Sequence, residues 1–214
     1  YQVPGVILCD KTLCEGFYSF SRLDAVIPRI DLPTKASPGP GYSRYLFSEN
    51  GVSPLLFPPS PGTVIKVNGY THDQAGITTE NSEIAALMSE KRQKKGAALA
   101  SEVSSLNPVV VGGDTGSDMA LICWGSPIGV CREVAGSMGL RVVQPVVLSP
   151  FPKLVLQDAL QGTERQIVVE ENAEGQLAML LARHGIRPHS HIRRYDGRPF
   201  AVEELEARIR EALA

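Results

Sequence analysis

The stretch that decides the fold reads MALICWGSPIGVCREVAGSMG at residues 119–139, QPVVLSPFP at 144–152 and RQIVVEENAEGQLAMLLARHGI at 165–186. Continuous apolar runs alternate there with amphipathic runs of helical spacing, and small residues mark the junctions. This alternation is typical of a parallel sheet covered by helices. The sequence therefore predicts an α/β fold, with an open, mostly parallel sheet and helices on both of its faces.

The same pattern places the elements of this domain, which we expect to span residues 109–214. Strands are predicted at Met119–Trp124, Arg141–Leu148, Gln166–Val169 and Ile186–Ile192. Helices are predicted from Ser126-Pro127 to Gly139, at Lys153–Leu160, at Leu177–His184 and from Val202 onward. Ser126 and Pro127 suit an N-cap and a first helical position. Pro145 lacks an N–H donor and so indicates an edge position or a bulge. The glycine-rich residues 109–117 are predicted to be a flexible lead-in loop.

The residues before 109 are organised differently. Val6–Cys9 predicts a strand buried on both faces, and Asp10 a cap for the helix after it. The chain opens without Met, so we interpret residues 1–26 as the tail of a domain in a longer protein. Eight of sixteen prolines fall within residues 27–62. Segment 27–80 is therefore predicted to be an ordered, extended crossing segment with a short strand at Thr63–Gly69.

A helix capped by Asn81 is predicted to connect the crossing segment to the sheet domain, within residues 81–108. It carries basic residues in its second half, at Lys91, Arg92, Lys94 and Lys95. We interpret this basic cluster as a solvated helical face.

Composition excludes several functional classes. The 214 residues are 43% hydrophobic and 21% charged with a net charge of −2, which predicts neither nucleic-acid nor membrane binding. The four cysteines are Cys9, Cys14, Cys123 and Cys131. They form no C-x-x-C pair, which argues against a disulfide framework, a zinc site or an iron–sulfur cluster. We expect reduced thiols and a cytoplasmic location.

Two groups of residues are candidates for substrate or coenzyme contact. His72-Asp73 is a histidine–carboxylate pair in a polar loop; it could orient a proton-transfer imidazole or act only as a hydrogen-bonded loop staple. Gly125-Ser126 follows a strand and opens a helix, so its N–H groups could hold an anion, although a tight turn explains it too.

Asn172 ends a strand, where open α/β sheets bind ligands, but a helix cap accounts for it as well. His189 and His191 alternate on one strand face without a third ligand, so no metal site is predicted. No nucleophile with a nearby base and no paired acid and base carboxylates emerge. We therefore assign no catalytic residue within this chain.

Several short motifs together resemble the α subunit of the 2-oxoacid:ferredoxin oxidoreductases, nearest to the 2-oxoglutarate type. The motifs are VILCDKTLC at 6–14, SRYLFSENGVSP at 43–54, GYTHDQAGITTE at 69–80, WGS at 124–126, SPFP at 149–152, VEEN at 169–172, GQL at 175–177 and YDGRPF at 195–200. Tyr70-Thr71 departs from the family's N-E-H-D-x-x-G-x-x-T-E loop. The order and spacing of the motifs carry the resemblance along nearly the whole chain.

This resemblance implies a transketolase C-terminal-like domain, preceded by the tail of a thiamine diphosphate pyrimidine-type domain. It also implies oxidative decarboxylation of a 2-oxoacid to an acyl-coenzyme A, with electrons passing through an iron–sulfur cluster to ferredoxin. Thiamine diphosphate, Mg and the cluster would be held mainly by a β subunit. The chain would join that subunit, as a homodimer or a heterotetramer, and would be inactive by itself. The family's Y-P-I-T-P-type motif is missing from this sequence, so its catalytic residues are not carried over.

Two alternatives to this enzyme remain at this stage. One is a small-anion-binding α/β module, and the other is a non-catalytic docking subunit of another thiamine enzyme complex. Tight anion binding by the isolated chain would favour the first. Lipoamide-dependent rather than ferredoxin-dependent turnover would favour the second.

Overall fold

The apolar runs of the second half form a five-stranded sheet in the computed structural model, which describes residues 1–19, 21 and 35–213. The strands are β1 (Val109–Gly113), β2 (Met119–Cys123), β3 (Arg141–Pro145), β4 (Arg165–Glu170) and β5 (Ser190–Arg193). Their order across the sheet is β1-β3-β2-β4-β5. Only β1 runs antiparallel to its neighbour, and the other pairs are parallel. The predicted open, mostly parallel sheet is confirmed.

Helices cover both faces of this sheet, as predicted. The described helices are α1 (Lys11–Glu15), α2 (Ser82–Ser104), α3 (Ile128–Met138), α4 (Lys153–Ala159), α5 (Gln176–Arg183) and α6 (Val202–Leu213). Successive strand residues point to opposite faces. Leu121 of β2 therefore packs in one core with Val134 of α3 and Leu205 of α6. Its neighbour Ile122 packs in a second core with Leu156 of α4 and Leu181 of α5.

Three predictions about the sheet domain are wrong. The lead-in loop predicted at 109–117 contains β1, whose valine run pairs with β3. A side chain at Gly113, where φ is +69°, would overlap the carbonyl oxygen of Leu140, so this glycine permits a close backbone approach. Pro145 lies in an interior strand, and its missing donor is tolerated because β3 ends there. Ser126 does not cap α3, because its hydroxyl donates to Glu171 instead.

Two strands predicted before residue 109 are also absent from the described residues. Val6–Cys9 is exposed coil, with Ile7 90% exposed, because no neighbouring strand in the described part of the chain pairs with it. Thr63–Gly69 likewise has no ladder partner. The two helix caps predicted before residue 109 are confirmed. Asp10 accepts a hydrogen bond from Leu13 N at 2.9 Å, and the Asn81 side chain accepts from the N–H groups of Glu83 and Ile84 at 3.0 Å each.

The chain divides into two units. The crossing unit comprises Tyr1–Gly5 and Tyr18–Glu102, and the sheet unit comprises Val6–Phe17 and Val103–Ala214. The predicted boundary between residues 26 and 27, and the first residues of the predicted crossing segment, lie outside the described residues. Among the helices that the structure describes, none combines the length and apolar character needed to span a bilayer.

Candidate functional site

Tyr45 is the centre of the candidate site in the crossing unit. Its hydroxyl accepts a hydrogen bond from Asn68 N at 2.9 Å and donates to Asn68 O at 3.1 Å. Its backbone N–H donates to Gln74 O at 2.9 Å. Its ring stacks on that of His72, with centroids 3.8 Å apart and planes at 28°. One tyrosine therefore fastens the 68–79 loop to an earlier part of the crossing segment.

His72 and Asp73 do not form the predicted histidine–carboxylate pair. The imidazole Nδ1 faces the backbone oxygen of Asp73 at 2.9 Å, not its carboxylate. That carboxylate accepts from Ala75 N and Ile77 N, both at 2.9 Å, because a short acidic side chain is well placed to satisfy its own turn. Asp73 is thus the loop staple. His72 is 9% exposed, and its Nε2 has no hydrogen-bond partner among the described residues.

Two positively charged side chains, Arg44 and Lys91, lie beside the Tyr45 ring. The guanidinium carbon of Arg44 lies 5.2 Å from the Tyr45 ring centroid, and Lys91 Nζ lies 5.9 Å from it. Lys91 Nζ also donates to Ser53 Oγ at 2.6 Å. Burial, followed by the charges of Lys95, Arg44 and Arg92, lowers the pKa of Lys91 to about 8. The predicted solvated basic face is therefore wrong for Lys91, which is half-buried.

The second candidate site lies in the sheet unit, at the carboxyl ends of β2 and β4. The chain leaves β2 toward β3 on one side and returns to β4 on the other, so this is the topological switch point where α/β sheets bind ligands. The structure brings Gly125-Ser126 and Asn172 to this edge. Ser126 Oγ donates to Glu171 Oε2 at 2.8 Å, and Phe200 N donates to Glu171 Oε1 at 3.2 Å. The adjacent carboxylate makes Gly125-Ser126 a poor anion site.

Asn172 and Glu170 occupy the N-terminus of α5. Asn172 Oδ1 accepts from Gly175 N at 2.7 Å and Gln176 N at 3.0 Å, so it fixes the turn that leads into α5, whose N-cap position is Gly175. The carboxylate of Glu170, only 1% exposed, accepts from Leu177 N at 2.8 Å and Ala178 N at 3.2 Å. The positive end of this helix is therefore already neutralised by the chain's own side chain.

His191 approaches the same buried carboxylate from β5. Its Nε2 lies 2.7 Å from Glu170 Oε1, but the direction of the ring N–H does not give a hydrogen bond of normal geometry. The sequence showed His191 only as sharing a strand face with His189, and this contact with Glu170 was not predicted. The signal available in the sequence was Glu170, an acidic residue directly after the apolar run 167–169.

The described residues do not fit a resident metal or iron–sulfur cluster. No group of three histidine, cysteine or carboxylate side chains converges in the part of the chain that the structure describes. Cys9 and Cys14 are exposed, and Cys123 and Cys131 are buried. A hydrogen bond with Cys123, together with burial, raises the pKa of Cys131, so its thiol is held protonated.

Curated relatives match this chain along its whole length. The α subunit of 2-oxoacid:ferredoxin oxidoreductase 2 from Aeropyrum pernix is 32% identical, over 100% of this chain and 34% of the relative. The α subunit of the 2-oxoacid:ferredoxin oxidoreductase from Saccharolobus solfataricus is 30% identical, over 100% of this chain and 35% of the relative. This chain is homologous to those α subunits. It spans about one third of their length.

The similarity to these oxidoreductases extends to the fold. A solved 2-oxoglutarate:ferredoxin oxidoreductase from Magnetococcus marinus, with 2-oxoglutarate, coenzyme A and succinyl-CoA bound, superposes with a TM-score of 0.72 at 26% identity. The match covers 89% of this chain and 33% of that one. No protein-family model matches the chain. The resemblance predicted from the short motifs is confirmed.

Proposed function

We propose that this chain forms part of the α subunit of a 2-oxoacid:ferredoxin oxidoreductase. The observation that carries the proposal is homology to such subunits over 100% of the chain. The agreement in fold with a solved 2-oxoglutarate enzyme supports it independently. In the assembled enzyme a 2-oxoacid and coenzyme A become an acyl-coenzyme A and carbon dioxide, and two electrons pass to ferredoxin. We propose 2-oxoglutarate as the first substrate to test, because the solved neighbour binds it.

The cofactors of this reaction are assigned to a partner subunit in the proposal. Thiamine diphosphate with Mg supplies the carbanion chemistry in such enzymes, and an iron–sulfur cluster carries the electrons. The described residues offer no ligand set for the metal groups, so we assign none of their chemistry to this chain. We propose assembly with a β subunit, as a heterotetramer or around a homodimer of this chain, in the cytoplasm.

Within this assembly we propose that His72 faces the substrate or coenzyme. Its ring is held by stacking on Tyr45 and by the Asp73 carbonyl oxygen, which leaves Nε2 as the atom available for proton exchange or hydrogen bonding. Asp73 positions the loop. The sheet edge at Gly125, Ser126 and Asn172 is a second proposed contact surface. Because Glu171 lies there, we expect it to suit a neutral or cationic group rather than a phosphate.

The test is turnover by the complex purified through this chain from its own host. We expect ferredoxin reduction that requires both coenzyme A and a 2-oxoacid, with 2-oxoglutarate, pyruvate and branched-chain 2-oxoacids compared at equal concentration. Reduction of lipoamide instead of ferredoxin would contradict the proposal and favour a docking role in another thiamine enzyme complex. Failure with every acceptor in a complex that retains its cofactors would also contradict it.

A further inference from the structure

Three cations of the crossing unit, Arg44, Lys91 and Lys95, have no carboxylate in an ion pair with them among the residues that the structure describes. Lys91 and Lys95 lie one turn apart on α2, and Arg44 comes from the crossing segment. Like charges at this helical spacing repel each other. Burial lowers the pKa of Lys95, and the charges of Arg44 and Arg92 lower it further.

The acidic side chain next to Lys91 in the sequence, Glu90, forms no ion pair with these cations in the described part of the chain. Glu90 lines a cavity of about 120 Å³ together with Lys91, Lys94 and Ser48. It forms no ion pair with either lysine in the part of the chain that is described. The cavity is also lined by Phe47 and Leu87, whereas Arg44 and Lys95 lie outside its lining. It has the volume of about four waters at ~30 Å³ each, so the space on this side of Lys91 suits one small group.

The backbone that carries Lys91 and Lys95 packs closely against the crossing segment. A side chain at Gly51, where φ is +77°, would lie 2.5 Å from Lys91 O and 2.7 Å from Lys95 N, so the crossing segment touches α2 between the two lysines. Ser53 accepts from Lys91 Nζ at 2.6 Å and donates to Leu46 O at 2.8 Å. Arg44 is half-buried beside Tyr45. The Lys91 ammonium is therefore positioned in advance of any ligand, and the Arg44 guanidinium lies against the Tyr45 ring, which lowers the entropic cost of binding.

From this geometry we infer that Arg44, Lys91 and Lys95 bind a phosphate group of a small molecule. Arginine recognises phosphate through paired N–H donors and lysine acts as a compact positive charge, so the set matches a dianion better than a single carboxylate. The source is either free phosphate or a phosphate ester of a coenzyme. The second source rests on the proposed function, since the solved neighbour binds coenzyme A.

The experiment is calorimetric titration of the full chain at low ionic strength, first with inorganic phosphate and then with coenzyme A. Low salt matters because partly exposed charges are screened at higher ionic strength. We expect Lys91→Gln and Arg44→Gln each to raise the dissociation constant about tenfold or more, as for loss of a hydrogen bond to a charged group. Lys91→Arg, which keeps the charge, should change it less than about threefold.

The matched control is Lys153→Gln, which removes one exposed positive charge from the sheet unit. It should leave binding unchanged. Absence of binding by both probes, or an equal loss in Lys153→Gln and Lys91→Gln, would overturn the inference. Should Lys91→Gln fail to fold, Arg44→Gln and Lys91→Arg give the same comparison. Binding of phosphate but not coenzyme A would identify free phosphate as the source.

The binding experiment distinguishes failure of the phosphate site from failure of the proposed oxidoreductase function. Binding is measured on this chain without turnover, so loss of ferredoxin reduction in the complex does not affect it. If the complex turns over and Lys91→Gln leaves its half-saturation by coenzyme A unchanged, the coenzyme source is refuted while the oxidoreductase assignment stands.

Discussion

Replacing Glu170 by alanine should destabilise the sheet unit more than any other change at the carboxyl edge. The carboxylate accepts the N–H groups of Leu177 and Ala178 and the side-chain amide of Asn172, the last at 2.5 Å. A buried donor left without an acceptor costs about 1–3 kcal/mol. Because two backbone donors are orphaned at a buried position, we expect a loss of about 3–5 kcal/mol in the free energy of unfolding.

The assay is urea unfolding followed by the fluorescence of Trp124, the only tryptophan of the chain, which directly follows β2 in the sheet unit. Glu170→Gln retains one acceptor oxygen and should lose only about 1–2 kcal/mol. The control is Glu174→Ala, an exposed change in the same loop, which should stay within about 0.5 kcal/mol of wild type. A loss below about 1 kcal/mol for Glu170→Ala, or one equal to that of the control, would refute the role of Glu170 as the N-terminal acceptor of α5.

Three further predictions concern the crossing unit. Gly51→Ala should lower the free energy of unfolding by about 2–3 kcal/mol because its Cβ meets the α2 backbone. The control is Gly62→Ala, where φ is +70° but no atom lies within 4 Å, and it should lose about 1 kcal/mol. Equal losses in thermal unfolding would contradict the close approach at Gly51. Lys91 has a folded pKa of about 8 against its ordinary 10.5, so the unfolded chain binds more protons between these values and stability should rise with pH across that range. Lys91→Met should remove this rise in pH-dependent melts, and a rise that persists would show that another group causes it. His72→Ala should lower the free energy of unfolding by about 0.5–1.5 kcal/mol through loss of the stack on Tyr45, and it should reduce turnover of the assembled enzyme by more than this loss of stability explains. A lowered melting temperature with unchanged kinetics would show that His72 has a purely structural role.

The sheet could be predicted from sequence because its strands are buried on both faces. Such strands read as unbroken apolar runs, as at Met119–Cys123, and the helices between them show helical spacing. β1 was missed because it ends in two glycines, and the close approach of Gly113 to Leu140 is visible only in three dimensions. Val6–Cys9 has the composition of a strand, but a strand also needs a partner, and composition does not supply one.

The candidate sites were less predictable, because they depend on contacts between residues distant in sequence. Ser126 and Glu171 are separated by 45 positions and Lys91 and Ser53 by 38. His72 and Asp73 looked like a catalytic pair because they are adjacent, yet adjacent side chains need not face each other. The basic run of α2 was interpreted as solvated because the sequence does not show that the crossing segment packs on it.

Native mass spectrometry of the complex purified through this chain from its own host tests the central claim most directly. We predict a co-purifying subunit whose mass includes thiamine diphosphate and whose iron content indicates an iron–sulfur cluster. Recovery of this chain alone, or as a homodimer without that subunit, would contradict its assignment to a 2-oxoacid:ferredoxin oxidoreductase.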